Sequence, residues 1–191
     1  SILEYQQQHF EIDLAKAIDI SIPIRNGLEN PNCFYAPPVE FEPLKAGDFI
    51  GSVEAGAPVN FFNVRINPHG NGTHTECVGH IAREVYTINQ CLKRFAFVAQ
   101  LVSLYPYPME NGDRVIRKQD LEALDWKGCP AFILRTLPND FSKTSRQYSG
   151  TNPPYIEAEG LSWLRDQGVE HLLLDLPSVD RELDEGLLAG H

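Results

Sequence analysis

The sequence predicts a mixed α/β fold, and three observations lead there. Apolar, β-rich runs recur at 95–104, 131–136 and 169–176. Helix-patterned segments lie between them, and the 191 residues are 42% hydrophobic, enough to fill one substantial core. The length favours a single domain over residues 1–191.

The elements follow in chain order. After a mixed polar opening, Ala17 to Ile24 alternates β-branched and polar residues until Pro23 interrupts, the pattern of an edge strand. From Gly27 to Pro58 the pairs Asn30-Pro31, Pro37-Pro38, Gly47-Asp48 and Ala57-Pro58 break every periodic run, which predicts a long loop-rich excursion. Phe61 to Ile66 reads as a strand. It delivers a histidine-rich segment whose glycines permit tight backbone geometry. Phe95 to Leu104, Ala131 to Thr136 and the Leu172, Leu173, Leu174 run predict buried strands of a central sheet. Helical patterns cover Lys118 to Trp126 and Ile156 to Gln167, the second acidic in its first turn and stopped by Gly168.

Charge and composition exclude several classes of function. A net charge of -10 and a pI of about 5.0 disfavour phosphate backbones and anionic lipid, so no nucleic-acid or membrane partner is expected. No apolar run approaches the roughly 20 residues of a membrane span. Neither is a signal peptide expected, because no basic stretch leads into an apolar one. Cys33, Cys77, Cys91 and Cys129 form no C-x-x-C pair, so zinc ribbons and thioredoxin-like motifs are absent. Reduced thiols in a cytoplasmic protein are the simplest reading, although two disulfides would also satisfy the count.

The chemistry concentrates in His69-Gly-Asn-Gly-Thr-His74-Thr-Glu76-Cys-Val-Gly-His80, which holds three of the six histidines. On an extended backbone His74 and Glu76, two residues apart, leave the same face and can converge on one cation. Imidazole nitrogen with carboxylate oxygen suits Zn²⁺, Mn²⁺ or Fe²⁺. His80 lies past Gly79 and can stand beside such an ion as a proton carrier, since imidazole exchanges protons near neutral pH. The competing view of Thr73-His74-Thr75-Glu76 is an ordinary polar strand. Cys77 reads as a small buried residue, and His9 and His171 as structural. Phe34, Tyr35, Phe61 and Phe62 either line an aromatic pocket or pack the core.

Gly72-Thr73-His74-x-Glu76-x-x-x-His80 resembles the signature H-x-G-T-H-x-D-x-P-x-H of the putative cyclase family, which includes bacterial-type kynurenine formamidases. Asp19-Ile-Ser-x-Pro23 resembles its opening D-L-S-x-P, and Phe132-Ile-Leu-Arg-Thr136 its L-I-R-T strand. Gly160-Leu-Ser-Trp-Leu with Gly168-Val resembles its helix and turn, and Leu174-Asp-Leu-Pro-Ser178-Val-Asp180 its I-D-T-P-S-I-D. The resemblance implies a swivelling β/β/α-type domain with a central mixed sheet, forming a homo-oligomer and holding a divalent metal, zinc foremost. It also implies hydrolysis of small N-formyl amides or related amides and esters, as in tryptophan catabolism. By position, His74 and Glu76 stand at ligand sites, His80 at the catalytic histidine, and His191 at a later histidine that completes the metal site.

Three departures accompany the resemblance. Gly70 occupies the first ligand position and His69 stands one residue earlier, able to reach the metal if the backbone bulges. Glu76 replaces Asp. The chain is also expected to lack the family's C-terminal segment, with its acidic residue and final strand. A noncatalytic homologue serving binding or assembly is the alternative these departures favour.

Overall fold

A computed structural model describes residues 2–183. The chain opens on a hairpin, β1 (Ile2–Tyr5) antiparallel to β2 (Gln8–Glu11), with Gln6 and Gln7 both at positive φ. That conformation suits a tight two-residue turn whose twist matches its strands. The predicted edge strand Ala17–Ile24 does not form. The Asp19 carboxylate accepts from the Ser21 amide at 2.8 Å and hydroxyl at 2.7 Å, a local turn that competes with strand pairing. The Ile22 amide donates instead to Thr73 Oγ1 at 3.0 Å, which ties this stretch to the histidine-rich segment.

The excursion after Gly27 is loop-rich, yet it contains three short strands, β3 (Glu40–Pro43), β4 (Lys45–Ala46) and β5 (Phe49–Ile50). β4 pairs with β5, and β3 pairs antiparallel with β6 (Phe62–Arg65), the strand predicted to lead into the histidines. Two single-turn helices follow, α1 (Pro68–Asn71) and α2 (Ile88–Cys91).

From residue 99 the pattern changes. β7 (Ala99–Leu104) is followed by the short strands β8 (Tyr107–Pro108) and β9 (Arg114–Ile116), and then by α3 (Lys118–Glu122). β10 (Ala131–Thr136) comes next, then β11 (Tyr155–Ile156), α4 (Ala158–Asp166) and β12 (His171–Leu174). β10 lies between β7 and β12, both parallel to it, and β9 pairs with β8 and β11. The mixed α/β character is as expected, and among the described residues the strands fall into several small sheets of two or three.

Both predicted helices are shorter than their patterns. α3 ends early because the Gln100 side chain takes the backbone beyond it, accepting from Lys127 N at 2.8 Å and donating to Asp125 O at 3.0 Å. Ile156 belongs to β11, while Gly168, at φ +81°, ends the α4 region as predicted.

Ile116, Leu121, Phe132, Leu134, Ile156 and Leu164 close a core between these strands and α3 and α4. Burying each such side chain contributes about 1.5–3 kcal/mol. Beside it, Asp113 is buried and accepts from Asn111, Asn152, Tyr155 and Arg181. These bonds anchor the segment after β12.

Candidate metal centre

β6 ends at Arg65, and the chain then turns sharply through α1. The sequence supports this turn. Asn67 is its N-cap, its side chain accepting from Gly70 N at 3.2 Å, and Pro68 occupies the first helical position, where its missing N–H costs nothing. Buried Asn71 clamps the turn by accepting from Asn67 N at 3.0 Å and donating to Pro37 O at 3.2 Å. Gly70 presses on the preceding loop: its carbonyl accepts from Cys33 N at 2.9 Å, and a Cβ there would overlap the Ala36 methyl. No side chain fits at position 70. His69, one residue earlier, is brought to the cluster by a helical turn rather than by a bulge in an extended run.

Three imidazoles gather on one carboxylate. Glu76 Oε2 lies 3.2 Å from His69 Nδ1 and 3.5 Å from His80 Nδ1, while Glu76 Oε1 lies 3.9 Å from His74 Nε2. The His69 and His74 rings meet edge-on at 4.9 Å, and His69 stacks on His80 at 4.3 Å. Ligand atoms of His69, His74 and Glu76 all fall within 4.8 Å of one another. A tetrahedral zinc ion with bonds of roughly 2.0–2.1 Å separates its ligand atoms by about 3.3 Å. The separations on Glu76 bracket that value.

The surroundings also set the chemistry of the donors. His74 Nδ1 lies 2.8 Å from the Gly72 carbonyl, which can only accept, so Nδ1 is the donor of that bond and Nε2 is the nitrogen turned toward Glu76. A fixed tautomer with the free nitrogen facing inward is the arrangement metal-binding histidines use. His80 ends a 3₁₀ turn, Val78–His80, whose last amide donates to Cys77 O at 2.9 Å. The donor set fits a divalent ion. Its side chains stay open, with His69, Glu76 and His80 between 44% and 49% exposed.

Other expected residues fall elsewhere. His191 lies outside the described residues. His9 sits on the N-terminal hairpin, and the His171 ring packs 3.7 Å from that of Phe97, in keeping with structural roles. All four cysteines are free. Burial pushes the Cys33 thiol up to about 11. Cys77 is only partly buried. Its thiol donates to Tyr86 O at 3.8 Å, and the Cys91 thiol is raised above its ordinary value, by the Cys77 thiol first and by desolvation next, against a lowering from Lys93. Phe34, Tyr35, Phe61 and Phe62 pack into no core and are exposed.

Asn67, Asn71 and Thr73 hold the site in place and were not singled out from the sequence. Asn67-Pro68 carried a legible signal, a capping residue before a proline. The partners of Asn71 and Thr73 lie 34 and 51 residues away and left none.

Among the described residues no helix is long and apolar enough to cross a membrane. No curated protein matches the chain. The family model described as Putative cyclase matches residues 18–181, from the Asp19 turn through β6 and the histidine cluster to the segment after β12. With that match over most of its length, the chain belongs to the putative cyclase family.

Proposed function

We propose that the chain is a metal-dependent hydrolase of small amide or ester carbonyls, of the arylformamidase type. It would convert an N-formyl amide and water into formate and the free amine. The observation that carries this reading is the convergence of His69 Nδ1, His74 Nε2 and the Glu76 carboxylate. A divalent ion held there, zinc foremost with manganese or iron as alternatives, supplies Lewis acidity and water activation.

The chain's own groups would do the rest. Glu76 contributes the negative charge that retains a dication, and Gly72 O keeps the His74 proton away from the cluster. His80, close enough to share Glu76, takes the proton from the attacking water and returns it to the departing nitrogen. His191 has the role of a further ligand by its place in the family pattern. The same reading includes one domain over 1–191 with a swivelling β/β/α arrangement around a central mixed sheet. It further includes a cytoplasmic site of action in tryptophan catabolism and a homo-oligomeric state. Exposed Phe61, Phe62, Val64, Val78 and Ile81, on and near the segments that carry the cluster, suit contact with another copy.

The test is metal analysis joined to a formate-release assay. Turnover should vanish with a chelator and return with zinc, and His80→Ala should keep the metal while losing activity. Turnover that survives complete metal removal would reject the mechanism. One observation favours a noncatalytic, metal-holding assembly role, namely the openness of the donors. Stoichiometric zinc uptake without hydrolysis of any formyl amide or ester would select it.

A further inference from the structure

The opening hairpin contributes to neither the core nor the metal cluster. Its turn end is fixed to the body by the Tyr5 hydroxyl, which donates to the Gly128 carbonyl, whereas every residue of β2 is exposed. Among the described residues β1 and β2 pair only with each other, so each presents an open edge.

Register decides which groups that edge offers. Gln6 and Gln7 form a two-residue turn, so the flanking pair Tyr5↔Gln8 exchanges hydrogen bonds, and by alternation so does Leu3↔Phe10. His9 and Glu11 therefore aim their N–H and C=O groups outward, along the open side of β2. Their side chains share one face with Ile2 and Glu4, while Phe10 shares the other with Leu3 and Gln8.

A second β2 laid antiparallel about a two-fold axis at Phe10 sets His9 opposite the partner's Glu11, and Glu11 opposite the partner's His9. Outward donors then meet outward acceptors, two hydrogen bonds at each pair. Imidazole lies against carboxylate at both, and the Phe10 side chains meet on the axis. Pairing about His9 would oppose two imidazoles, and pairing about Glu11 two carboxylates. On the β1 edge, pairing about Leu3 matches Ile2 with Glu4, which gains no charge pair.

We propose that the outer edge of β2 is a self-association surface on which two copies pair antiparallel about Phe10, joining their hairpins into one sheet. The occupant is a second copy because the edge complements itself in backbone pattern and in charge, as an isologous contact requires. Open strand edges favour such pairing. The proposal rests on the homo-oligomeric part of the function proposed above, places a contact apart from Phe61 and Phe62, and uses no metal donor.

The test uses the full chain. In Phe10→Cys the new thiols face each other across a non-hydrogen-bonded pair, with Cα atoms about 4.5 Å apart and within disulfide reach. Mild oxidation should yield a dimer bridged at position 10, identified by peptide mass. Gln8→Cys should not bridge, because its two copies lie about 13 Å apart along the strands. Sedimentation velocity over a concentration series reads the strength of association. His9→Glu should weaken it by at least about threefold, by opposing carboxylates at both pairs, and His9→Glu/Glu11→Lys should restore it. Glu4 faces position 9 within the hairpin in both variants, so the recovery reports the contact between copies. Association that ignores these charges, with no bridge at position 10, would overturn this surface while leaving a homo-oligomer joined elsewhere. Equal bridging at positions 8 and 10 would overturn the register. A chain that stays monomeric and unbridged would overturn the surface and the homo-oligomer together.

Discussion

Residues 99–183 and residues 2–98 are held together by different physics. The first region buries Ile116, Leu121, Phe132, Leu134, Ile156 and Leu164 between parallel strands and two helices. The second leaves Ile18, Val85 and Phe95 each more than 80% exposed, and its interior holds Asn30 and Asn71 beside Val39 and Cys33. There, the chain is fixed by side-chain amides that satisfy backbone groups: Asn30 bonds both backbone groups of Arg25 and the Gly27 carbonyl. The candidate metal cluster sits in the second region. Orienting four side chains requires a turn that cannot shift, and hydrogen bonds of defined geometry provide that where apolar burial is sparse. Hydrophobic stabilisation is non-directional and belongs to the other region.

The largest test of this contrast is Phe132→Ala, which should cost about 3–5 kcal/mol in denaturant melts. Zinc affinity of the folded fraction should not change. A parallel fall in affinity would show that the two regions form one cooperative unit at the site.

Next in size is Asp113→Asn, expected to cost about 2–3 kcal/mol through loss of charged hydrogen bonds. Its pH profile sharpens the point. Hydrogen bonds from Asn152 first, then Asn111, Tyr155 and Arg181, hold the Asp113 carboxyl below the ordinary carboxylate range against its desolvation. The folded pKa therefore lies under the unfolded one. The stabilisation is fully present above about pH 4 and is lost as pH falls through the folded value. Asp113→Asn should flatten that acid limb in thermal melts, and an unchanged limb would assign acid sensitivity to other carboxylates.

Gly70→Ala should reverse the pattern, costing about 1–3 kcal/mol through overpacking against Ala36. Zinc affinity should fall by at least about tenfold as His69 is displaced, an effect of the size seen when groups that orient ligands are lost. Titration by calorimetry separates the two quantities. Smallest of all, Ile18→Ser should stay within about 0.5 kcal/mol of the parent in the dilute monomer. A larger loss that grows with protein concentration would place this stretch against another copy.

The strands at 62–65, 99–104, 131–136 and 171–174 were legible because β-branched and aromatic runs bounded by turns leave few alternatives. The stretch 17–24 carried the same alternation and misled, because Asp19 and Ser21 bond locally and Thr73 captures the Ile22 amide. The two-residue strands were invisible, being shorter than any period can register. At the cluster, spacing alone marked His74, Glu76 and His80. His69 looked one residue out of place until α1 supplied the rotation.

Residue types and spacing by themselves marked an α/β chain with histidines and a carboxylate grouped in one short segment, and the resemblance of its motifs pointed to the putative cyclase family, which the family model bears out. These are local properties of the chain. Only the tertiary structure decided that position 70 is closed by Ala36 and Cys33 and that the His69 ring is brought onto Glu76. Each of those depends on the angle at which one backbone segment meets another, and that angle is set by turns and distant hydrogen bonds that no local pattern encodes.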